Sequence, residues 1–169
     1  MVTLATLSNP HFFSSSAEID RGGPSYSIET IQFFRQQLGP GTKLYFIMGV
    51  DAFLEISTWK NFHELLTSCK LVVTSRPGLD LQTAIKNLPK ILLDYHKGLH
   101  FSFHKMNSSS RLTKIVDKGE NVFFVEVTEI DISSTLIQLR ASMAKSLRYL
   151  VPSAVEEYIK KYGLYAKGV

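Results

Sequence analysis

The sequence predicts an α/β protein built on a parallel sheet, and three observations carry that prediction. Short continuous apolar runs occur at Leu44–Met48, Leu71–Thr74 and Val122–Val127, the length and character of strands buried on both faces. A segment with an apolar stripe at helical spacing (Ile28, Ile31, Phe34, Leu38) precedes the first run. Turn residues punctuate the alternation at Gly39-Pro40-Gly41 and Arg76-Pro77-Gly78. Alternating helix and buried strand is the pattern of parallel pairing. No internal repeat and no long linker interrupts it. Residues 1–169 therefore read as one domain with a C-terminal helical portion at about 132–165.

Taken in order, Met1 opens on VTLATLSNP, which reads as the last turns of a helix already under way, without an N-cap. Phe12 to Ile19 reads as extended and ends at the Gly22-Gly23-Pro24 turn. Ser25 or Ser27 is expected to cap a helix running to about Leu38. Asn61–Thr67 and Leu81–Leu88 read as short helices, the second stopped by Pro89. Between Lys90 and Gly119 the pattern is weakest, although Leu99, Phe101 and Phe103 alternate with His100, Ser102 and His104 as a strand would. His100 and His104 would share a polar face. No third ligand is spaced to complete a metal site, and none is assigned. Asn107–Ser110 is a loop. Ser134–Ser142 is a helix. Pro152–Tyr162 is a final helix, with proline in its first turn and Gly163 as its stop.

The composition, 44% hydrophobic and 20% charged, is that of a globular protein. No apolar run approaches the roughly 18 residues of a membrane span, and MVTLATLSNPHFF lacks the basic start and long apolar core of a secretory signal. The lone Cys69 excludes an internal disulfide and fits a reducing cytoplasm. It precedes an apolar strand and reads as a packing residue rather than a nucleophile. A net charge of +4 helps attract phosphorylated substrates. The basic residues are scattered, and Lys160-Lys161 lie beside Glu156 and Glu157, so no nucleic-acid surface is expected.

Candidate site residues follow from chemistry and position. Ser133, Ser134 and Thr135 sit where a strand-like run passes into a helix, and the N–H groups of a helix start suit a phosphate. Gly49 and Asp51 follow a buried strand at its C-terminal end, the edge where open α/β sheets bind ligands. Asp51 would accept ribose hydroxyls, or else cap a helix. Trp59, the only tryptophan, lies in a polar stretch and would either join the core or stack on a flat ring. Arg76 would meet a phosphate or lie on the surface.

Several blocks carry a family resemblance. They are GGPSYSIET (Gly22–Thr30), YFIMGVD (Tyr45–Asp51), Trp59, VVTSRPG (Val72–Gly78), and ISST from Ile132 with YLVP from Tyr149. In this order they resemble the bacterial nicotinate-nucleotide adenylyltransferases over nearly the whole chain. The resemblance implies a Rossmann-like nucleotidyltransferase fold. It implies transfer of AMP from ATP, accompanied by Mg2+, to nicotinate mononucleotide, giving deamido-NAD and diphosphate. It places Gly49, Asp51, Ile132, Ser133, Ser134 and Thr135 against ATP, and Tyr26, Ser27, Trp59 and Arg76 against the nicotinate nucleotide. In-line transfer at phosphorus rests on positioning and charge neutralisation, so no catalytic nucleophile is named.

Two departures bear on activity. The family's glycine-rich H-x-G-H loop has no counterpart among the five histidines, so the first strand–loop–helix unit is expected to be missing. Gln138 stands where the family usually has a phosphate-contacting arginine, and Arg140 would point away. The chain as given is accordingly expected to lack measurable transfer. A non-catalytic homologue, binding pyridine nucleotide or serving only as a structural partner, is the alternative. Self-association is expected because strands such as Leu44–Met48 would be left partly uncovered.

Overall fold

Among the described residues every strand pairing is parallel, as the apolar runs predict. The computed structural model describes residues 1–79, 81, 83, 86, 121–128 and 130–166, and the backbone of 101–105. In chain order the elements are α1 (Val2–Thr6), α2 (Ala17–Arg21), α3 (Ser27–Leu38), β1 (Tyr45–Gly49), α4 (Val50–Leu54) and α5 (Phe62–Ser68). There follow β2 (Lys70–Thr74), β3 (Phe101–Lys105), β4 (Val122–Glu126), α6 (Ser134–Ser142) and α7 (Ser153–Lys161). The chain divides into two compact units, Arg21–Glu129 and Met1–Asp20 with Ile130–Val169.

Within Arg21–Glu129 the strand order is β1-β2-β4-β3. The register aligns Met48 with Val73 and Val73 with Phe124, and puts Ile47, Val72 and Phe123 on the opposite face. The first face, with Leu71, Val73, Val122 and Phe124, packs against Ile28 and Ile31 of α3, Val50 and Phe53 of α4, and Phe62, Leu65 and Leu66 of α5. Phe53 and Phe124 meet nearly at right angles with ring centres 5.4 Å apart. Val72, Phe123 and Val125 form a smaller buried cluster on the other face. β2 and β4 are buried on both faces, as expected, but β1 is not: Tyr45 is 42% and Ile47 69% exposed. β1 ends the strand order, so only one of its faces is covered by the core.

Helices α3 and α5 run back beside the sheet. The Arg35 guanidinium donates twice to the Ser68 carbonyl at their C-terminal ends, and Gln32 donates to Glu64 further up. Both helices lead into strand starts, so their N-termini lie towards the C-terminal edge of the sheet. Neither Ser25 nor Ser27 caps α3. Tyr26 holds the N-cap position without a side-chain cap, and Ser27 is the first helical residue.

Cys69 is buried, and its thiol donates to the Leu65 carbonyl at 3.4 Å. Burial pushes its pKa up to about 11, while the positive Arg35 opposes the shift. Attack needs the thiolate, so Cys69 should resist a thiol reagent at pH 8 in the folded chain and react once denaturant is added. Equal rates in the two states would show the thiol accessible.

In the unit formed by residues 1–20 and 130–169, Leu147, Val155 and Ile159 form a small core with Leu4, Ala5, Ile137, Ala141, Val151 and Leu164. Ser133 caps α6, its hydroxyl accepting the Leu136 N–H at 3.1 Å. α6 spans Ser134–Ser142 as expected but buries no residue fully. Its amphipathic character is therefore weaker than the sequence suggests. Pro152 is the N-cap of α7 rather than part of its first turn. The Glu156 carboxylate accepts the Leu147 N–H at 3.2 Å and pairs with Lys160 at 2.8 Å. The hydrogen bond from Lys160 and, less strongly, that from Leu147 hold its carboxyl below the usual range, against partial burial.

Phe12–Ile19 departs from the expected extended segment, because Ala17–Arg21 is helical. The Ser16 hydroxyl donates to Asp20 at 2.7 Å and the Ser15 hydroxyl accepts the Ala17 N–H at 3.2 Å, a local turn network that outweighs the apolar pattern. Of the helix expected at 81–88, residues 81, 83 and 86 are helical and the rest lie outside the described residues. His100 and the 107–110 loop also lie outside them.

Candidate functional site

The C-terminal edge of the sheet carries the first group of candidate residues. Gly49 ends β1, and the chain turns there directly into α4. Asp51 lies inside the first turn of α4, not at its N-cap; Gly49 holds that position. One carboxylate oxygen of Asp51 pairs with Nε of Arg76 at 3.3 Å. Gly49 permits this. A Cβ on it would collide with Asp51 Oδ1 and lie 2.8 Å from Arg76 Nε.

Arg76 is held by its backbone on both sides. Before it, the Ser75 N–H donates to the Val125 carbonyl at 3.2 Å, and the Ser75 hydroxyl accepts the Val127 N–H at 3.0 Å. After it, the Leu79 N–H donates to the Arg76 carbonyl at 3.1 Å across Pro77 and Gly78. Gly78 has φ +79°, and proline followed by a positive-φ glycine is the type II turn signature.

A second group gathers at the N-terminal ends of α3 and α5. The Lys60 ammonium sits over the Tyr26 ring, 4.1 Å from its centre, and pairs with Glu29 at 2.7 Å. Arg21 approaches the other oxygen of Glu29 at 3.6 Å. The hydrogen bond from Lys60 is the main cause holding the Glu29 carboxyl below its ordinary value. Trp59 precedes Lys60 and packs its half-buried indole edge-on against Phe46, 6.3 Å between ring centres. The two sequence alternatives for Trp59 thus meet in one residue, part core and part surface. Lys60 and Glu29 escaped the sequence reading. Their only signal was position: one follows Trp59 and the other lies on the first turn of α3.

Ile132, Ser133, Ser134 and Thr135 belong to the unit of residues 1–20 and 130–169, and all four are exposed. With Leu136 bonded to the Ser133 hydroxyl, the Ser134 and Thr135 N–H groups have no intrahelical acceptor and can meet an anion. Gln138 is exposed. Arg140 donates twice to the Ser146 carbonyl, at 3.0 and 2.8 Å, and is committed to the far end of the helix. It does not replace a cation at position 138. Among the described residues no group of three or more His, Cys, Asp or Glu is arranged to hold a metal ion.

Comparison with known proteins identifies the family. The cytidylyltransferase-like family model matches residues 1–140. The chain belongs to this family. Among curated relatives, "Probable nicotinate-nucleotide adenylyltransferase" of Moorella thermoacetica is 39% identical over 98% of this chain and 65% of its own length. The proteins of the same name from Thermoanaerobacter sp. and Geotalea daltonii are 40% and 38% identical, each over 99% of this chain. This chain thus spans 65% of the first relative's length, 68% of the second's and 73% of the third's. Two solved structures share the fold. Plasmodium falciparum nicotinic acid mononucleotide adenylyltransferase complexed with APC aligns with TM-score 0.59 at 13% identity, over 95% of this chain and 70% of that one. The same enzyme complexed with NaAD aligns with TM-score 0.54 at 14% identity, over 84% of this chain and 58% of that one. At such identity the likeness shows the fold, a Rossmann-like nucleotidyltransferase architecture.

Proposed function

We propose that this cytidylyltransferase-like chain is a nicotinate-nucleotide adenylyltransferase. It would transfer AMP from ATP to nicotinate mononucleotide and release diphosphate in NAD biosynthesis. The observation that carries this reading is its 38–40% identity, across 98–99% of the chain, to relatives bearing that name.

In this reaction a phosphate oxygen of the mononucleotide attacks the α-phosphorus of ATP, and the bond to the diphosphate leaving group breaks in line. The protein's part is to align the two nucleotides and to offset charge. In our reading the Ser133–Thr135 helix start, with Ile132 beside it, takes the ATP phosphates, and Gly49 and Asp51 take its nucleoside. Tyr26, Ser27 and Trp59 take the nicotinate ring and carboxylate, and Arg76 takes the mononucleotide phosphate. Lys60 over Tyr26 adds a cation to the carboxylate end, partly neutralised by Glu29. Magnesium would accompany ATP and offset the charge of its phosphates. Among these residues no helix is long and apolar enough to cross a membrane, and the buried single cysteine suits a reducing cytoplasm. Self-association belongs to the same reading, with Ile47 69% exposed on β1.

One observation favours a second reading, a homologue that binds pyridine nucleotide without catalysis. Position 138 is glutamine, and Arg140 is committed elsewhere, so the ATP end has lost a cation. Calorimetry with ATP, nicotinate mononucleotide and nicotinamide mononucleotide tests the substrate, and formation of deamido-NAD and diphosphate tests the chemistry. The acid nucleotide should bind about tenfold tighter than the amide, the scale of one charge-assisted hydrogen bond. Equal affinities would overturn the nicotinate assignment. Binding without product would select the second reading.

A further inference from the structure

We propose that Asp51 is the positioning residue for Arg76, seating its guanidinium over the bare Cα of Gly49 so that the outer N–H fork is presented to a phosphate monoester. The inference rests on the adenylyltransferase reading for the identity of that phosphate. Four observations converge on it. Oδ1 of Asp51 is fully buried, 3.3 Å from Arg76 Nε, yet it has no aligned hydrogen-bond donor. Its attraction to the guanidinium is therefore electrostatic and local. Gly49 leaves room beneath the pair, since a Cβ there would displace both partners. The Arg76 backbone is fixed by Ser75, which follows β2 and bonds to Val125 and Val127, and by the turn through Gly78. The pairing engages Nε, and the Arg76 side chain is 58% exposed, so its terminal nitrogens face outward.

A guanidinium is suited to this division of labour. It stays charged, is planar, and has donors on separate edges, so a carboxylate can hold Nε while the terminal N–H groups grip two phosphate oxygens. Asp51 then acts through Arg76. One of its oxygens is spent on the seat, and its contribution to binding the nicotinate ligand appears only when that ligand carries a phosphate, while its other oxygen is left for the nucleoside of ATP. No acidic or basic side chain other than these two enters the pair among the described residues.

The first test needs no nucleotide. The Nε–H resonance of Arg76, assigned through Arg76→Lys in a 15N spectrum, should shift and broaden in Asp51→Asn. Gly49→Ala, which keeps the carboxylate but fills the space, should reproduce that change with a cooperative thermal transition retained. An Nε–H signal indifferent to both variants overturns the seat.

The second test is a binding cycle with nicotinate mononucleotide and its phosphate-free riboside. Asp51→Asn and Arg76→Gln should each weaken the mononucleotide about tenfold, the double variant no more than Arg76→Gln alone, and none should change riboside binding. Additive losses, or a riboside defect in Asp51→Asn, would show Asp51 meeting the sugar directly and would overturn the proposal. If the resonance moves as expected while wild-type protein binds neither nucleotide, the adenylyltransferase reading fails and the seat stands.

Discussion

Phe124→Ala is expected to lose about 4 kcal/mol of unfolding free energy, the largest loss from any single truncation considered for this chain. Phe124 is fully buried on β4, between β2 and β3, and meets Phe53 of α4 edge to face at 5.4 Å. Removing the ring forfeits its transfer from water, leaves a cavity under α4, and breaks an aromatic pair worth about 1 kcal/mol beyond area. Domains of this size have about 5–15 kcal/mol to lose, so the variant should be marginal at 37 °C. Denaturant titration measures the loss. Phe33→Ala is the control. That ring is 38% exposed and, among the described residues, has Phe34 as its aromatic partner, so its loss should stay near 1 kcal/mol. A Phe124→Ala cost as small as the control's would mean that α4 does not close on the sheet as described.

The second large effect is expected at Trp59, and it should appear in stability and in binding together. The indole is half-buried and braces Phe46, so Trp59→Ala should cost about 2 kcal/mol of stability, below the range for a fully buried tryptophan. Loss of the exposed face should weaken nicotinate mononucleotide about tenfold by removing a stacking platform. Trp59→Phe separates the two, because a benzyl ring still reaches Phe46 but offers a smaller platform. It should recover most of the stability and only part of the affinity. Full affinity in Trp59→Ala, with the stability loss intact, would assign the residue to the core alone.

The sheet was legible because its strands are buried from both sides, which forces continuous apolar runs such as Leu71–Thr74 and Val122–Val127. β1 carries the same signature yet leaves Ile47 exposed, and nothing in YFIMG distinguishes a covered face from an open one. Position in the sheet is a tertiary property. The short helices α2 and α4 were missed for a different reason. Each has only five residues, too short to show a helical period, and each depends on turn hydrogen bonds or on the packing of Val50 and Phe53. α6 was placed at its observed start because Ser133 is a strong local N-cap signal.

At the candidate site, motifs located Gly49, Asp51 and Arg76 but left their relation unreadable. Asp51 and Arg76 lie on different strand exits and meet only once β1 and β2 have paired. The same holds for Lys60 over Tyr26, which joins the starts of two helices.

An all-parallel sheet also fixes the order in which this chain can assemble. Among the described strands no hairpin is available as a seed, because each pairing must wait for a crossover to close. Two crossovers are short, β3 to β4 and β1 to β2, the second bridged by α4 and α5. That connection, residues 50–69, is only slightly longer than residues 106–121 between β3 and β4, so both pairs close at a similar and modest entropy cost. Val72 finds Phe123 only when β2 and β4 meet across the much longer stretch of residues 75–121. Folding of the sheet thus depends on contacts of high sequence separation and falls on the slow side of the topological scale. The ring of Phe124 reaches Phe53 only in the closing steps. Until then β1 and β2 stand as an apolar pair with one face open.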